Sequence, residues 1–223
     1  MEKIDSRLVR ARLYGIIDLG YVAEGQTADK VARMLDGGVD VIQLRAKGFS
    51  PAAIAAVAGR LAPLCQARQI PFIINDHPEL VADTGADGVH VGQDDYSVAE
   101  ARALAGPGAL VGKSTHSLAQ AQAAAKEGPD YLGFGPLFAT PTKAEYAPIG
   151  LDDIAAAHSQ VSLPIFCIGG IKRENLSDVL AAGAHRVVIV SGLLQADDLT
   201  AYARDCQNRL AHVFIGRSQE RIL

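Results

Sequence analysis

The chain has 223 residues, 49% of them hydrophobic and 21% charged, with a formal net charge of −4. That length suits one large domain or two small ones with a sizeable core, and the acidic balance argues against a general nucleic-acid surface. Its three cysteines, Cys65, Cys167 and Cys206, lack C-x-x-C spacing, so idle thiols are expected and neither a zinc site nor a disulfide framework is indicated.

The N-terminal MEKIDSRLVRARLYG has no uninterrupted apolar segment of signal-peptide type, and no apolar run anywhere is long enough to span a bilayer. A cytoplasmic protein without a membrane partner is expected. From there, strand-like runs alternate with alanine-rich helical patterns. Strands are read at 13–18, 39–45, 71–76, 88–92, 109–114, 131–135, 164–170 and 186–191. The helical segments are TADKVARMLDGG, PAAIAAVAGRLAPLCQARQ, SVAEARALA, SLAQAQAAAKEG, LDDIAAAHSQ, ENLSDVLAAG and DDLTAYARDCQNRL. Their apolar residues return every three or four positions, as one buried face requires. Gly37–Gly38, Gly128 and Gly183 fit left-handed helix C-caps.

Strand–helix units of about 25 residues each predict an α/β fold, a (β/α)8 TIM barrel. The expected organisation is a single domain over 1–223, with 1–12 an N-terminal extension and 212–223 a C-terminal tail. A doubly wound sheet uses the same alternation, but the strand count favours the barrel and no G-x-G-x-x-G follows the first strand. The tail HVFIGRSQERIL reads as a frayed end or a homo-oligomer contact.

Barrel chemistry gathers where the C-terminal ends of the strands converge. The second strand leaves through QLRAK, and alternation puts Gln43, Arg45 and Lys47 on the face begun by Val39 and Val41. A basic edge in solvent is the plain alternative; inward cations need partners and point to an anion. The third strand ends in Asn75 and Asp76, and the fourth is followed by Gln93, Asp94 and Asp95. One aspartate alone would be read as a helix cap. Carboxylates on adjacent rims beside a cationic strand, Asp76 on one and Asp94 or Asp95 on the other, suggest instead a shared Mg²⁺, an ion that takes one or two carboxylates plus substrate phosphates.

The fifth strand runs into GKSTHS, where Ser114 can donate to a phosphate oxygen and His116 can shuttle a proton. The competing role is capping of the next helix by Ser114, Thr115 or Ser117. His90, in mid-strand, reads as a hydrogen-bonded interior residue. The longest irregular segment, GPLFATPTKAEYAPIG, presents Thr140, Thr142 and Lys143 and suits a lid over phosphate. The last two strands end in Gly169–Gly170 and Val190–Ser191–Gly192, where barrels bind phosphate through backbone N–H groups. No residue looks like an activated nucleophile. The implied chemistry is departure of an anionic group, assisted by Mg²⁺ and Lys/Arg, with a second phosphorylated small molecule as acceptor.

In order along the chain, GGVDVIQLRAK, IPFIINDHPEL, GADGVHVGQDD, GKSTHS, DYLGFGPLFATPTK and PIFCIGGI resemble the thiamine-phosphate synthase family, over nearly the whole length from LYGIID to IVSG. The resemblance implies a cytoplasmic transferase of thiamine biosynthesis. It would join 4-amino-5-hydroxymethyl-2-methylpyrimidine diphosphate to a thiazole phosphate, carboxylated or not, by a dissociative route that releases pyrophosphate. It assigns Gln43 and Asn75 to the pyrimidine, and Arg45, Lys47, Asn75, Ser114 and Lys143 to the diphosphate. Asp76 and Asp95 would bind Mg²⁺, and Thr140, Thr142, Gly170, Val190 and Ser191 would line the thiazole-phosphate site. Arg45, Lys47, Ser114 and Lys143 would be catalytic. The chain departs from the family at Ala46, where an acid is usual, and at His77 and Cys167; Ala46 is expected to face away from the cations. The rivals are a thiazole tautomerase on the same scaffold, which relies on a histidine near His116, and a non-catalytic barrel that binds a phosphorylated metabolite. The retained Asp76, Asp95, Arg45, Lys47 and Lys143 argue for the synthase.

Overall fold

A computed structural model describes residues 5–140 and 146–220, with side chains through 211. Eight parallel strands pair in sequence order: β1 Leu13–Asp18, β2 Val41–Arg45, β3 Phe72–Asn75, β4 Gly88–Val91, β5 Leu110–Thr115, β6 Tyr131–Phe134, β7 Ile165–Cys167 and β8 Val187–Ile189. β8 pairs back onto β1, closing the (β/α)8 barrel that the alternation predicted. The helices are α1 Ser6–Arg10, α2 Thr27–Asp36, α3 Pro51–Gln66, α4 Val81–Thr84, α5 Val98–Ala105, α6 Leu118–Lys126, α7 Ile154–Gln160, α8 Leu176–Ala181, α9 Ser191–Leu194 and α10 Leu199–Glu220. The stretch read as a C-terminal tail thus continues the last helix as far as Glu220.

Period-two alternation sorts each strand between two apolar layers. Tyr14, Ile16, Val41, Ile73, Leu110, Tyr131, Phe166 and Val188 fill the barrel interior. Leu13, Ile17, Ile42, Leu44, Phe72, Ile74 and Leu132 pack outward against the helices. Ala46 belongs to that outer layer, turned from the cations as expected. Val39 does too; it does not begin the Gln43 face, because β2 starts only at Val41.

Leu8 of α1, fully buried, joins the interior cluster and closes the barrel below the start of β1. Arg7 holds α1 there by donating to Asp5 and, at 2.7 Å, to Asp87 beside the start of β4. The N-terminal end of the barrel is therefore plugged, and an opening is left at the other end.

Local signals place the helices. Ser50 caps α3 ahead of Pro51, Ser97 and Glu100 form a capping box on α5, and Ser117 caps α6. Gly38, Gly128 and Gly183 take positive φ as expected, but Gly37 is right-handed at φ −82°. Gly37 is small for a packing reason: a Cβ there would lie 2.5 Å from the Cβ of Ala203 in α10. Among the described residues no helix is long and apolar enough to cross a membrane.

Candidate active site

Two connected compartments open at the C-terminal ends of the strands. The outer one is a polar cleft lined by Arg45, Lys47, Asn75, Asp76, Asp94 and Asp95, together with Ser114 and Tyr146. The two aspartates read from the sequence as metal ligands therefore share one cleft with the predicted cations.

Arg45 closes β2 with its guanidinium largely buried, and its partner is Asp18: Nη1 lies 2.6 Å from Oδ2. The other Asp18 oxygen accepts the Gly20 N–H at 2.8 Å. Sequence reasoning did not single out Asp18. The signal was present, since an acid ends β1 in direct register with the arginine that ends β2. Lys47 lies beyond the strand, mostly exposed, with Nζ 3.9 Å from Asp76 Oδ2. An exposed pair of this kind contributes about 0–1 kcal/mol, so little holds Lys47 away from an incoming phosphate.

Asp76 is left-handed at φ 65°, and its N–H donates to the His90 carbonyl at 2.9 Å. Aspartate tolerates this conformation better than most residues, but strained non-glycine positions still concentrate at functional sites. Asp76 caps no helix: the short 3₁₀ turn Pro78–Leu80 has His77 at its N-cap and no side-chain cap bond. Asp95 accepts the Gly92 N–H at 2.7 Å, while Ser97 performs the capping of α5. Neither aspartate is accounted for by helix capping.

The donor set is oxygen only, and among the described residues no group of three or more His, Cys, Asp or Glu side chains converges on a metal position. That set fits Mg²⁺, which completes its shell with water and substrate phosphate instead of an all-protein cage. The loop that carries Asp94 and Asp95 is held from behind by Lys113. This lysine is 5% exposed, points outward from β5, and donates to the carbonyls of Gly92 at 2.7 Å and Tyr96 at 3.3 Å.

The inner compartment is an aromatic box. Tyr14 and Tyr131 each meet Phe166 edge-on, with centroids 5.3 and 5.6 Å apart and planes at 84° and 83°. Gly112 makes room for it: a Cβ there would sit 2.2 Å from the Tyr131 ring and 2.5 Å from His90 Nδ1. Burial raises the pKa of both tyrosine hydroxyls above the usual phenol value. Gln43 donates to the Tyr14 hydroxyl at 2.9 Å, and the Tyr14 and Tyr131 hydroxyls are 3.0 Å apart. His90 contacts Tyr131 through Nδ1 at 3.2 Å and Ser114 Oγ through Nε2 at 2.9 Å. It is the hydrogen-bonded interior histidine that the sequence suggested, and Ser114 is committed to it and not to a helix cap.

Thr140, Gly170, Val190 and Ser191 line the far wall of the same cavity. Gly169 and Gly170 are left-handed, at φ 100° and 66°, and a Cβ on Gly170 would lie 2.7 Å from Phe138 Cβ. The passage of the loop after β6 thus requires the Gly–Gly pair on its own account. His116 stacks on Tyr146 with centroids 4.1 Å apart, and its Nδ1 contacts the Gly135 carbonyl. Thr142 and Lys143, the predicted lid residues, lie outside the described residues. Of their flanks, Thr140 borders the inner cavity and Tyr146 the outer cleft.

Residues 13–193 match a family model described as thiamine monophosphate synthase. The chain is 42% identical over 200 residues to the thiamine-phosphate synthase of Chloroflexus aurantiacus, covering 89% of this chain and 92% of that protein. It is 43% identical over 186 residues to the thiamine-phosphate synthase of Thermus thermophilus, covering 82% and 89%. Among solved structures, the thiamine phosphate pyrophosphorylase of Pyrococcus furiosus is similar with a TM-score of 0.82 and 30% identity, over 91% of this chain and 96% of that one.

Proposed function

The chain belongs to the thiamine monophosphate synthase family, and on that premise we propose that its mouth joins a pyrimidinylmethyl diphosphate to a thiazole phosphate, releasing pyrophosphate. The activity is that of a thiamine-phosphate synthase, a transferase of thiamine biosynthesis. One observation carries the mechanistic reading: Arg45, Asn75, His90 and Ser114 border both the aromatic box and the acidic–cationic cleft. A flat heteroaromatic ring seated among Tyr14, Tyr131 and Phe166 would then send its charged substituent across that border into the cleft.

In this reading Gln43 and Asn75 orient the pyrimidine, while Arg45, Lys47, Ser114 and Lys143 bind the diphosphate oxygens. Asp76 and Asp95 would hold Mg²⁺, which when bound supplies positive charge against a departing diphosphate. The C–O bond to the pyrimidinylmethyl carbon breaks, and its electron pair leaves with pyrophosphate. The ring's amino group spreads the resulting positive charge, and the thiazole nitrogen gives its lone pair to form the new C–N bond. Thr140, Gly170, Val190 and Ser191 hold the thiazole phosphate on the opposite wall, and Thr142 is assigned to the same phosphate. The role left to the protein is positioning and charge stabilisation, which needs no side-chain nucleophile.

The charge balance supports a metal. Among the described residues of the cleft, Arg45 and Lys47 face Asp76, Asp94 and Asp95, and the Lys143 that this reading adds only balances them, so a polyanion would be poorly received without an added cation. The test is incubation of purified protein with both substrates, with and without Mg²⁺, measuring thiamine monophosphate and pyrophosphate. Product in equal amounts without any divalent ion removes the role given to Asp76 and Asp95. No product under any condition removes the proposed reaction.

A further inference from the structure

The hydrogen bonds across the barrel floor form one unbroken run: Gln43 to Tyr14 at 2.9 Å, Tyr14 to Tyr131 at 3.0 Å, Tyr131 to His90 at 3.2 Å, and His90 to Ser114 at 2.9 Å. Its direction follows from the chemistry of its first member. An amide Nε2 can only donate, so the Tyr14 oxygen accepts from Gln43 and its own hydrogen must go onward. The Tyr131 oxygen receives that hydrogen and passes its own to His90 Nδ1. A histidine that accepts at Nδ1 carries its proton on Nε2 when neutral, and Nε2 then donates to Ser114 Oγ. The Ser114 hydroxyl hydrogen is left pointing away from the histidine. Ser114 lines both the box and the cleft, so the direction open to that hydrogen is the mouth.

We propose that Tyr14, Tyr131 and His90 are positioning residues that form a one-way hydrogen-bond chain, fixing Ser114 as a donor to the anion in the cleft. Without the chain a serine beside a histidine turns its hydrogen onto the imidazole and offers the anion only lone pairs. With the chain that arrangement is closed off, and no reorganisation is needed when the anion arrives. The burial of both tyrosines keeps them neutral, so each has one hydrogen to pass on. The inference rests on the reading that a diphosphate group occupies the cleft.

The test is a double-mutant cycle read by calorimetric binding of inorganic pyrophosphate in the presence of Mg²⁺, with no turnover involved. Y131F keeps the ring in the box and deletes the central link. It frees His90 to take the other tautomer and Ser114 to donate to it. Y131F and S114A should each weaken pyrophosphate binding on the order of tenfold, the scale of one hydrogen bond to a charged group. Y131F/S114A should bind no more weakly than S114A alone, because both changes delete the same donor. Y14F, which leaves the Tyr131–His90 link in place, should give a smaller loss in the same direction and supplies a second variant should Y131F fold poorly. Additive losses, or unchanged binding in Y131F, overturn the chain while leaving the proposed function intact. A wild-type protein that binds no pyrophosphate overturns the reading of the cleft and this inference with it.

Discussion

Lys113→Met tests how the acidic loop after β4 is held. The lysine is 5% exposed and its ammonium donates to Gly92 O at 2.7 Å and, more weakly, to Tyr96 O at 3.3 Å. The shorter bond is charge-assisted and contributes about 1.5–3 kcal/mol; the longer one contributes much less. Methionine has nearly the same shape and fills the space beneath the loop, and it removes the several kcal/mol that a buried ammonium costs in lost hydration. The two effects oppose one another, so global stability should change by no more than about 1–2 kcal/mol in urea unfolding. The loop itself loses its anchor. Asp95 is fastened to Gly92 N–H, so its position follows that of the Gly92 peptide. If the ordered loop is weakened by about 1.5 kcal/mol, Mg²⁺ half-saturation of turnover rises on the order of tenfold. Turnover at saturating Mg²⁺ should recover most of the wild-type value. Unchanged Mg²⁺ dependence in a folded Lys113→Met protein refutes the argument that Lys113 positions the acidic loop.

Asp95→Asn retains an acceptor for the Gly92 N–H but removes the charge; kcat/KM should drop at least tenfold with stability held to within about 1 kcal/mol. Loss of folding would instead show that the carboxylate is structural. Leu8→Ala should cost about 2–5 kcal/mol in urea unfolding, because it empties the plug of the barrel, with activity per folded molecule unchanged. A loss below the range expected for a buried leucine would mean that the N-terminal helix is dispensable. Burial raises the pKa values of Tyr14 and Tyr131 above the ordinary 10.0. The folded state therefore keeps protons that the unfolded chain releases above that pH. Their contribution is fully present below pH 10 and declines above it, by up to about 1.4 kcal/mol per pH unit for each. Absorbance titration should show these two ionising only as the protein unfolds; all six tyrosines titrating together in the folded state would contradict the burial argument.

The barrel was legible in the chain, since period-two strands and amphipathic helices are local features that survive without knowledge of neighbours. α3, α5 and α6 start where the apolar spacing begins, and Ser117 caps α6 as that spacing allows, whereas α5 takes its cap from Ser97 and not from an aspartate. Also legible was that Gln43, Arg45, Asn75, Asp76 and Asp95 come to the same rim, because every strand of a parallel barrel ends at one face. Which residues meet across the barrel came from the folded molecule. The Asp18–Arg45 pair depends on the register of β1 against β2, and the run from Gln43 to Ser114 crosses β1, β6 and β4 through the closed interior. Lys113 sits next to Ser114 in the chain yet on the other side of the sheet, reaching the acidic loop from the outer layer. Nor could Leu8 be recognised as the plug, or Gly37 as a contact with Ala203, from their own neighbourhoods. Alternation fixes which side of a strand a residue occupies, whereas the partner across a barrel is fixed by closure and stagger, which no single segment encodes.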